Sequence, residues 1–194
     1  MKNKIRIAVI IFAAALVAFL LLHRLRQMMV SIESPNRLVM NTVAKIIAVA
    51  PNQKIAQTSI DAAFEEVYRL EKLMNRFDPN SQISQINLQA SGKSVKIDRD
   101  LFECLRQAVY YSGITSGAFD ITVGPLVDLW RKCAEANSLP SSQQLEDVKK
   151  IIGYEKIILD ANDYSVRFTV DGVKLDLGGI AKGFAADKAI EIMK

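Results

Sequence analysis

The sequence has almost no histidine and almost no cysteine. His23 is the single histidine, and Cys104 and Cys133 stand far apart with no Cys-x-x-Cys pair. That scarcity excludes a zinc site built from cysteine and histidine. The two cysteines read as buried free thiols, with one disulfide in an oxidising compartment as the alternative. A basic face is also lacking. The formal net charge of +4 comes from the start of the chain, where Lys2, Lys4, Arg6, Arg24 and Arg26 stand with no acid, leaving 20 basic against 21 acidic residues beyond them. A near-neutral body does not bind nucleic acid by counterion release, so no nucleic-acid partner is expected. Internal repeats and low-complexity stretches are absent too, and 194 residues at 50% hydrophobic predict one domain with a sizeable core.

One long apolar run is present. Every residue from Ile7 to Leu22 is apolar, flanked by Lys2, Lys4 and Arg6 before it and by His23, Arg24 and Arg26 after it. Its 16 residues exceed a signal-peptide core and fall short of the roughly 20 that span a bilayer. No Ala-x-Ala site follows, so residues 1–30 read as a transmembrane signal anchor, with a cleaved signal peptide as the competing reading. The heavier cationic flank precedes the run, which places the N-terminus in the cytoplasm and the rest of the chain outward, on the inner (cytoplasmic) membrane. Residues 31–37, with Pro35 and Asn36, read as a tether, and the folded domain is expected over 38–194.

Within that domain, Val39–Val49 is rich in β-branched and apolar residues and predicts a strand. Ile60, Phe64, Val67 and Met74 recur at helical spacing through 55–74. Ser81 can cap a short helical turn over 82–87, and a second helix is expected over 100–112 with Asp98 near its start. Residues 113–130 read as a glycine-bearing loop. Ser141 with Gln144 makes a capping-box pattern for a helix ending at Gly153. Strands are expected at 156–159, 164–170 and 173–177, joined by turns at 160–163 and at Asp171-Gly172. The fold class is therefore α+β: a mixed or antiparallel sheet with flanking helices.

Three segments can carry chemistry. Asp176 to Gly183 joins a strand to a helix through glycines, which lets backbone N–H groups approach phosphate at the positive end of a helix, with Lys182 adding charge. It matches neither Walker nor Gly-x-Gly-x-x-Gly spacing, and a plain tight turn reads equally well from it. Ser116 to Trp130 places Phe119 and Trp130 beside Asp120 and Thr122, as an aromatic ligand requires, although Phe119, Leu126 and Trp130 also read as core. Leu73 to Asn87 on its own is a helix end, a turn and a capped helical turn.

In their order and spacing these blocks resemble the ApbE family of FAD:protein FMN transferases. The matching stretches are Met40-Asn41-Thr42, where the family has Met-Gly-Thr, the block from Met74 to Asn87, Gly-Ala-Phe-Asp-Ile-Thr-Val-Gly-Pro-Leu-Val over 117–127, and Leu-Asp-Leu-Gly-Gly-Ile-Ala-Lys-Gly over 175–183. The resemblance covers residues 38–194. It implies an ApbE-like fold with FAD in a cleft, Met40 and Phe77 lining the nucleotide, Ala118, Phe119 and Asp120 forming a binding segment, and Asp176 and Lys182 at further FAD-contacting positions. Gly179 is implied as a Mg²⁺ ligand through its backbone carbonyl. No catalytic base is identified.

The implied chemistry is phosphoryl transfer: a Thr or Ser hydroxyl of an acceptor protein attacks the FMN phosphorus of FAD, and AMP leaves. Acceptors in the family are often subunits of membrane-bound electron-transfer complexes. The family continues through a second half with a His-x-x-Asp-Pro segment and a metal-ligand cluster not found in these residues. Residues 38–194 are thus expected to be a partial transferase domain that binds Mg²⁺ poorly and transfers FMN slowly. The alternatives are a non-catalytic, membrane-anchored flavin-binding module and a fragment without function.

Overall fold

A computed structural model describes residues 2–27 and 29–194, with side chains described over 10–24 and 29–194. The apolar run forms helix α1 (Lys2–Gln27), and its described side chains, Ile10 to Arg24, are all exposed. Among the described residues no helix is long and apolar enough to cross a membrane. Several cations on which the expected anchor rests, Lys2, Lys4, Arg6 and Arg26, have side chains outside the described residues.

The expected tether is part of the fold. Val30–Glu33 forms β1 and pairs antiparallel with β4 (Ile47–Ala50), from Val30 opposite Ala50 to Glu33 opposite Ile47. The single strand expected over 39–49 is divided: β2 (Arg37–Val39) and β3 (Thr42–Ala44) form a tight hairpin inserted between β1 and β4. Met40 and Asn41 close it in two residues, both at positive φ (50° and 56°), which is what a type I′ turn demands. Asparagine tolerates that region better than other non-glycine residues, so Asn41 suits the second position of this turn.

Helix α2 (Gln53–Met74) opens where Asn52 Oδ1 accepts from the Ile55 N–H (2.9 Å). Its buried stripe, Ala56, Ile60, Ala63, Phe64, Val67, Leu70 and Met74, follows the helical period seen in the sequence. Ser81 caps α3 (Gln82–Gln89), and Asp98 caps α4 (Arg99–Ile114). Ser141 and Gln144 close the expected capping box on α6 (Ser142–Lys149). Strands β5 (Val95–Lys96), β6 (Ile157–Asp160) and β7 (Ser165–Phe168) form an antiparallel sheet in the order β5-β7-β6. The fold is α+β as expected, but its strands lie in three small sheets rather than one.

Two expected elements differ. The 113–130 loop ends at Val123, and Trp130 sits on α5 (Gly124–Glu135), whose start carries Pro125 in the first turn. That proline is a helix-start signal, since its missing N–H has no intrahelical partner to lose there. Residues 173–177 run extended but join no sheet. They lie alongside 121–124 through one parallel bridge, Val123 with Lys174, and two hydrogen bonds: Asp176 N–H to the Ile121 carbonyl (2.8 Å) and Gly124 N–H to the Lys174 carbonyl (3.2 Å). A Cβ at Gly124 would fall 2.5 Å from that carbonyl oxygen, so only glycine permits this approach.

The main core joins α2, α4, the three-stranded sheet and α7 (Ala181–Met193), with Leu70, Leu101, Leu105, Phe168 and Leu175 almost fully buried. Burying each such side chain contributes roughly 1.5–3 kcal/mol. A smaller cluster of Ala48, Ala50, Ala56, Ile60 and Phe64 seats β4 on α2. Both cysteines are free and buried, and burial pushes the Cys104 thiol up to about 12, so at neutral pH it is an unreactive core residue.

Candidate functional site

The glycine turn is shaped by alternation. Leu175 and Leu177 point into the core, so Asp176 between them faces outward, and the chain then turns sharply as the N–H groups of Ile180 and Ala181 both donate to the Leu177 carbonyl (3.0 and 2.8 Å). Helix α7 starts there with no side-chain cap and no acidic residue in its first turn. Its positive end is therefore unneutralised. Lys182 is exposed beside it, with Nζ 3.4 Å from the Gly178 carbonyl oxygen.

Asp176 is held on both oxygens. Oδ1 accepts from the Gly178 N–H (2.8 Å), and Oδ2 accepts from Arg76 Nη1 (2.6 Å). The other arm of Arg76 donates to Asp128 Oδ1 on α5 (2.5 Å), while Lys174 Nζ donates to Asp128 Oδ2 (2.8 Å). Partial burial opposes ionisation of Asp128, but Lys174 and Arg76 outweigh it and hold the carboxyl below its ordinary range.

Across from the turn stands the β2–β3 hairpin, fixed by the Met40 N–H donating to Glu71 Oε1 on α2 (2.7 Å). Phe77, just past the end of α2, is half exposed, with the Arg131 guanidinium 4.5 Å from its ring centroid and that of Arg76 5.4 Å away. Met40, Arg76, Phe77, Asp176, Gly178 and Lys182 line one cleft of about 90 Å³. Pockets that enclose a drug-sized ligand measure roughly 300–1,000 Å³, so these residues present a binding face rather than an enclosure. On the far side of Met40 lies a larger apolar groove of about 460 Å³ between β3, α2 and α7.

Four of the residues implied by the resemblance, Met40, Phe77, Asp176 and Lys182, thus meet in one place, drawn from three separated parts of the chain. The 118–120 segment does not line that cleft. Ala118 is exposed, and Phe119 supports the turn, its ring 3.0 Å from where a Cβ on Gly179 would stand. Asp120 fastens its own loop. Oδ1 accepts from the Thr122 N–H and hydroxyl (2.8 and 2.7 Å), and Oδ2 accepts from the Tyr154 N–H (2.8 Å).

The described residues hold no group of three or more histidine, cysteine or acidic side chains able to bind a metal. Both Asp176 oxygens are already engaged, which leaves the Gly179 carbonyl without an acidic co-ligand at the turn. This donor set by itself does not complete a magnesium shell, which draws on one or two carboxylates together with waters and substrate phosphates. Sequence reasoning also missed Arg76. It lies inside a block already singled out, but pairing with a carboxylate 100 residues away leaves no local signature.

Comparison with known proteins identifies the family and the fold. The ApbE family model matches residues 40–194. The FAD:protein FMN transferase of Chlamydia muridarum is 30% identical over 135 residues, 70% of this chain and 42% of the relative. That of Klebsiella pneumoniae is 31% identical over 131 residues, 68% of this chain and 42% of the relative. The crystal structure of the ApbE protein from Thermotoga maritima superposes with a TM-score of 0.74 at 30% identity, covering 84% of this chain and 52% of that one. The flavin transferase ApbE from Vibrio cholerae gives 0.66 at 25% identity over the same shares. The chain spans about two fifths of the length of these curated relatives and about half that of the solved structures. With the family model matched over residues 40–194 and the fold shared with solved members, the chain belongs to the ApbE family.

Proposed function

We propose that this chain supplies the flavin-nucleotide face of an FAD:protein FMN transferase. The observation that carries the reading is the convergence of Met40, Phe77, Asp176 and Lys182 on one cleft beside an uncapped helix N-terminus. A diphosphate over the glycine turn meets the positive end of α7 and the Lys182 ammonium, while the exposed Phe77 ring and Met40 offer apolar surface to a flat ring system.

The reaction is transfer of FMN to a Thr or Ser hydroxyl of an acceptor protein. The hydroxyl oxygen forms a bond to the FMN phosphorus, the bond from that phosphorus to the bridging oxygen breaks, and AMP carries the bridging oxygen away. The hydroxyl proton goes to a base that no residue here is assigned to provide. In such a step this chain contributes positioning and charge. Lys182 and the α7 terminus hold the diphosphate, and the hairpin with Phe77 orients the ring end. Magnesium, which supplies further charge neutralisation in phosphoryl transfer, has no adequate shell among the described residues.

The partner is an acceptor protein, read as a membrane electron-transfer subunit. The exposed apolar side chains of α1 support tethering at the cytoplasmic membrane with the folded part outward, because a large exposed apolar surface marks a membrane or protein contact. A second reading, a flavin-binding module without transfer activity, needs only the cleft residues and no metal. Incubating the chain with FAD, magnesium and a Thr-bearing acceptor, then looking for protein-bound flavin fluorescence after denaturation, separates the two. Covalent flavin supports the transferase; tight FAD binding without it supports the module; failure to bind FAD removes both.

A further inference from the structure

Arg76 is the most heavily committed side chain near the cleft. Its side chain is 9% exposed and its two arms reach carboxylates on different elements, Asp176 before the glycine turn and Asp128 on α5. Its own backbone is secured too, since the Ser84 hydroxyl of α3 donates to the Arg76 carbonyl (3.2 Å). Three segments distant in sequence therefore meet on one guanidinium, and the Asp176 carboxylate it grips also receives the Gly178 N–H. Only arginine can do this. Its planar fork serves two carboxylates at fixed angles, whereas an ammonium is a point charge on a flexible stem.

We infer that Arg76 is a positioning residue that sets the conformation of the glycine turn through Asp176. The assignment rests on the reading of that turn as the diphosphate seat. Without Arg76, the Asp176 Oδ2 is left unpaired at a site where its side chain is 19% exposed. An uncompensated carboxylate of that kind relaxes toward water and takes with it the oxygen that fixes Gly178. It also stands as a bare negative charge where a diphosphate must approach. With Arg76 in place the carboxylate is neutralised, and the ligand meets an ordered turn.

The test uses the whole chain with R76M and R76K. The first readout needs no ligand: amide hydrogen exchange. In R76M the Gly178 amide is expected to exchange about tenfold faster, while Val166 and Phe168 amides on β7 keep their rates. In the second readout, flavin fluorescence quenching, R76M is expected to weaken FAD about tenfold and riboflavin, which has no phosphate, less than threefold. R76K should recover part of the FAD loss. Unchanged Gly178 exchange, or equal losses for FAD and riboflavin, would overturn the assignment. If R76M loses β7 protection as well, R76K decides by the same criterion at Gly178. If the wild-type chain binds no FAD, the flavin reading fails, and the exchange result still decides what Arg76 does to the turn.

Discussion

Arg69 on α2 and Arg76 just beyond its end each gather carboxylates from distant parts of the chain, yet they do different work. Arg69 stands on α2, pairs with Glu66 (2.7 Å) and Asp100, and approaches Asp98 (3.5 Å); Lys188 of α7 joins through Asp100 (3.1 Å). This network braces α2, α4 and α7 against one another at a side-chain exposure of 41% for Arg69. Arg76 at 9% grips carboxylates at the edge of a cleft. Burial is what separates them. Wet ion pairs contribute little because water and salt screen them, whereas a dry one cannot lose a partner cheaply. The outer network therefore holds helices together, and the inner one holds a shape.

The sharpest way to break this comparison leaves both arginines alone and attacks the turn directly. In G179V the added side chain meets Phe119, and forcing the ring aside should cost roughly 2 kcal/mol, seen as about a thirtyfold weaker FAD affinity by fluorescence titration. Removing charge without disturbing packing is milder: K182A should weaken FAD about tenfold, with the melting temperature unchanged because the ammonium is exposed. At the outer network the pattern should reverse. D100N removes the shared partner of Arg69 and Lys188 and is expected to cost about 1 kcal/mol, lowering the melting temperature by roughly 2–4 °C while FAD affinity stays the same.

Acid should loosen the outer network as well. Partial burial opposes ionisation of Asp100, but Lys188 and Arg69 outweigh it and hold its carboxyl below the ordinary range. Glu103, paired mainly with Arg106, is held down to about 2. Carboxyls depressed in the folded state contribute stability that is fully present above their unfolded pKa of roughly 4 and is lost as the pH falls through the folded values. The urea midpoint should therefore stay level from neutral pH to about 5 and fall below about 4, and D100N should fall less steeply. The smallest effect belongs to the hairpin. N41G places glycine where φ is already +56° and should change stability by less than about 0.5 kcal/mol, measured by urea unfolding.

What the sequence disclosed follows the same division between local and distant. The stripe on α2, the Ser141–Gln144 capping box and the caps at Ser81 and Asp98 were legible because each depends on residues within one or two turns. Met40 and Phe77 entered through family blocks alone, whereas Asp176 and Lys182 also stood in the glycine turn read from the residues themselves. The Arg76 clamp was invisible, since its partners are 52 and 100 residues away. Residues 173–177 misled for a related reason. Their alternating burial is that of a strand, but pairing is decided by which edge is free, and here the neighbour is the short 121–124 stretch. Helix α5 was hidden by glycine and proline at its start, residues that read as loop until a helix follows them.

The most direct measurement is an FAD titration followed through the backbone amide signals of the chain. Binding at the glycine turn should shift Met40, Phe77 and Gly178 to Lys182 together, with one dissociation constant, and leave the β6–β7 hairpin where it was. Shifts confined to the apolar groove along Ala185 to Met193, or none at all, would contradict a dinucleotide seated on that turn.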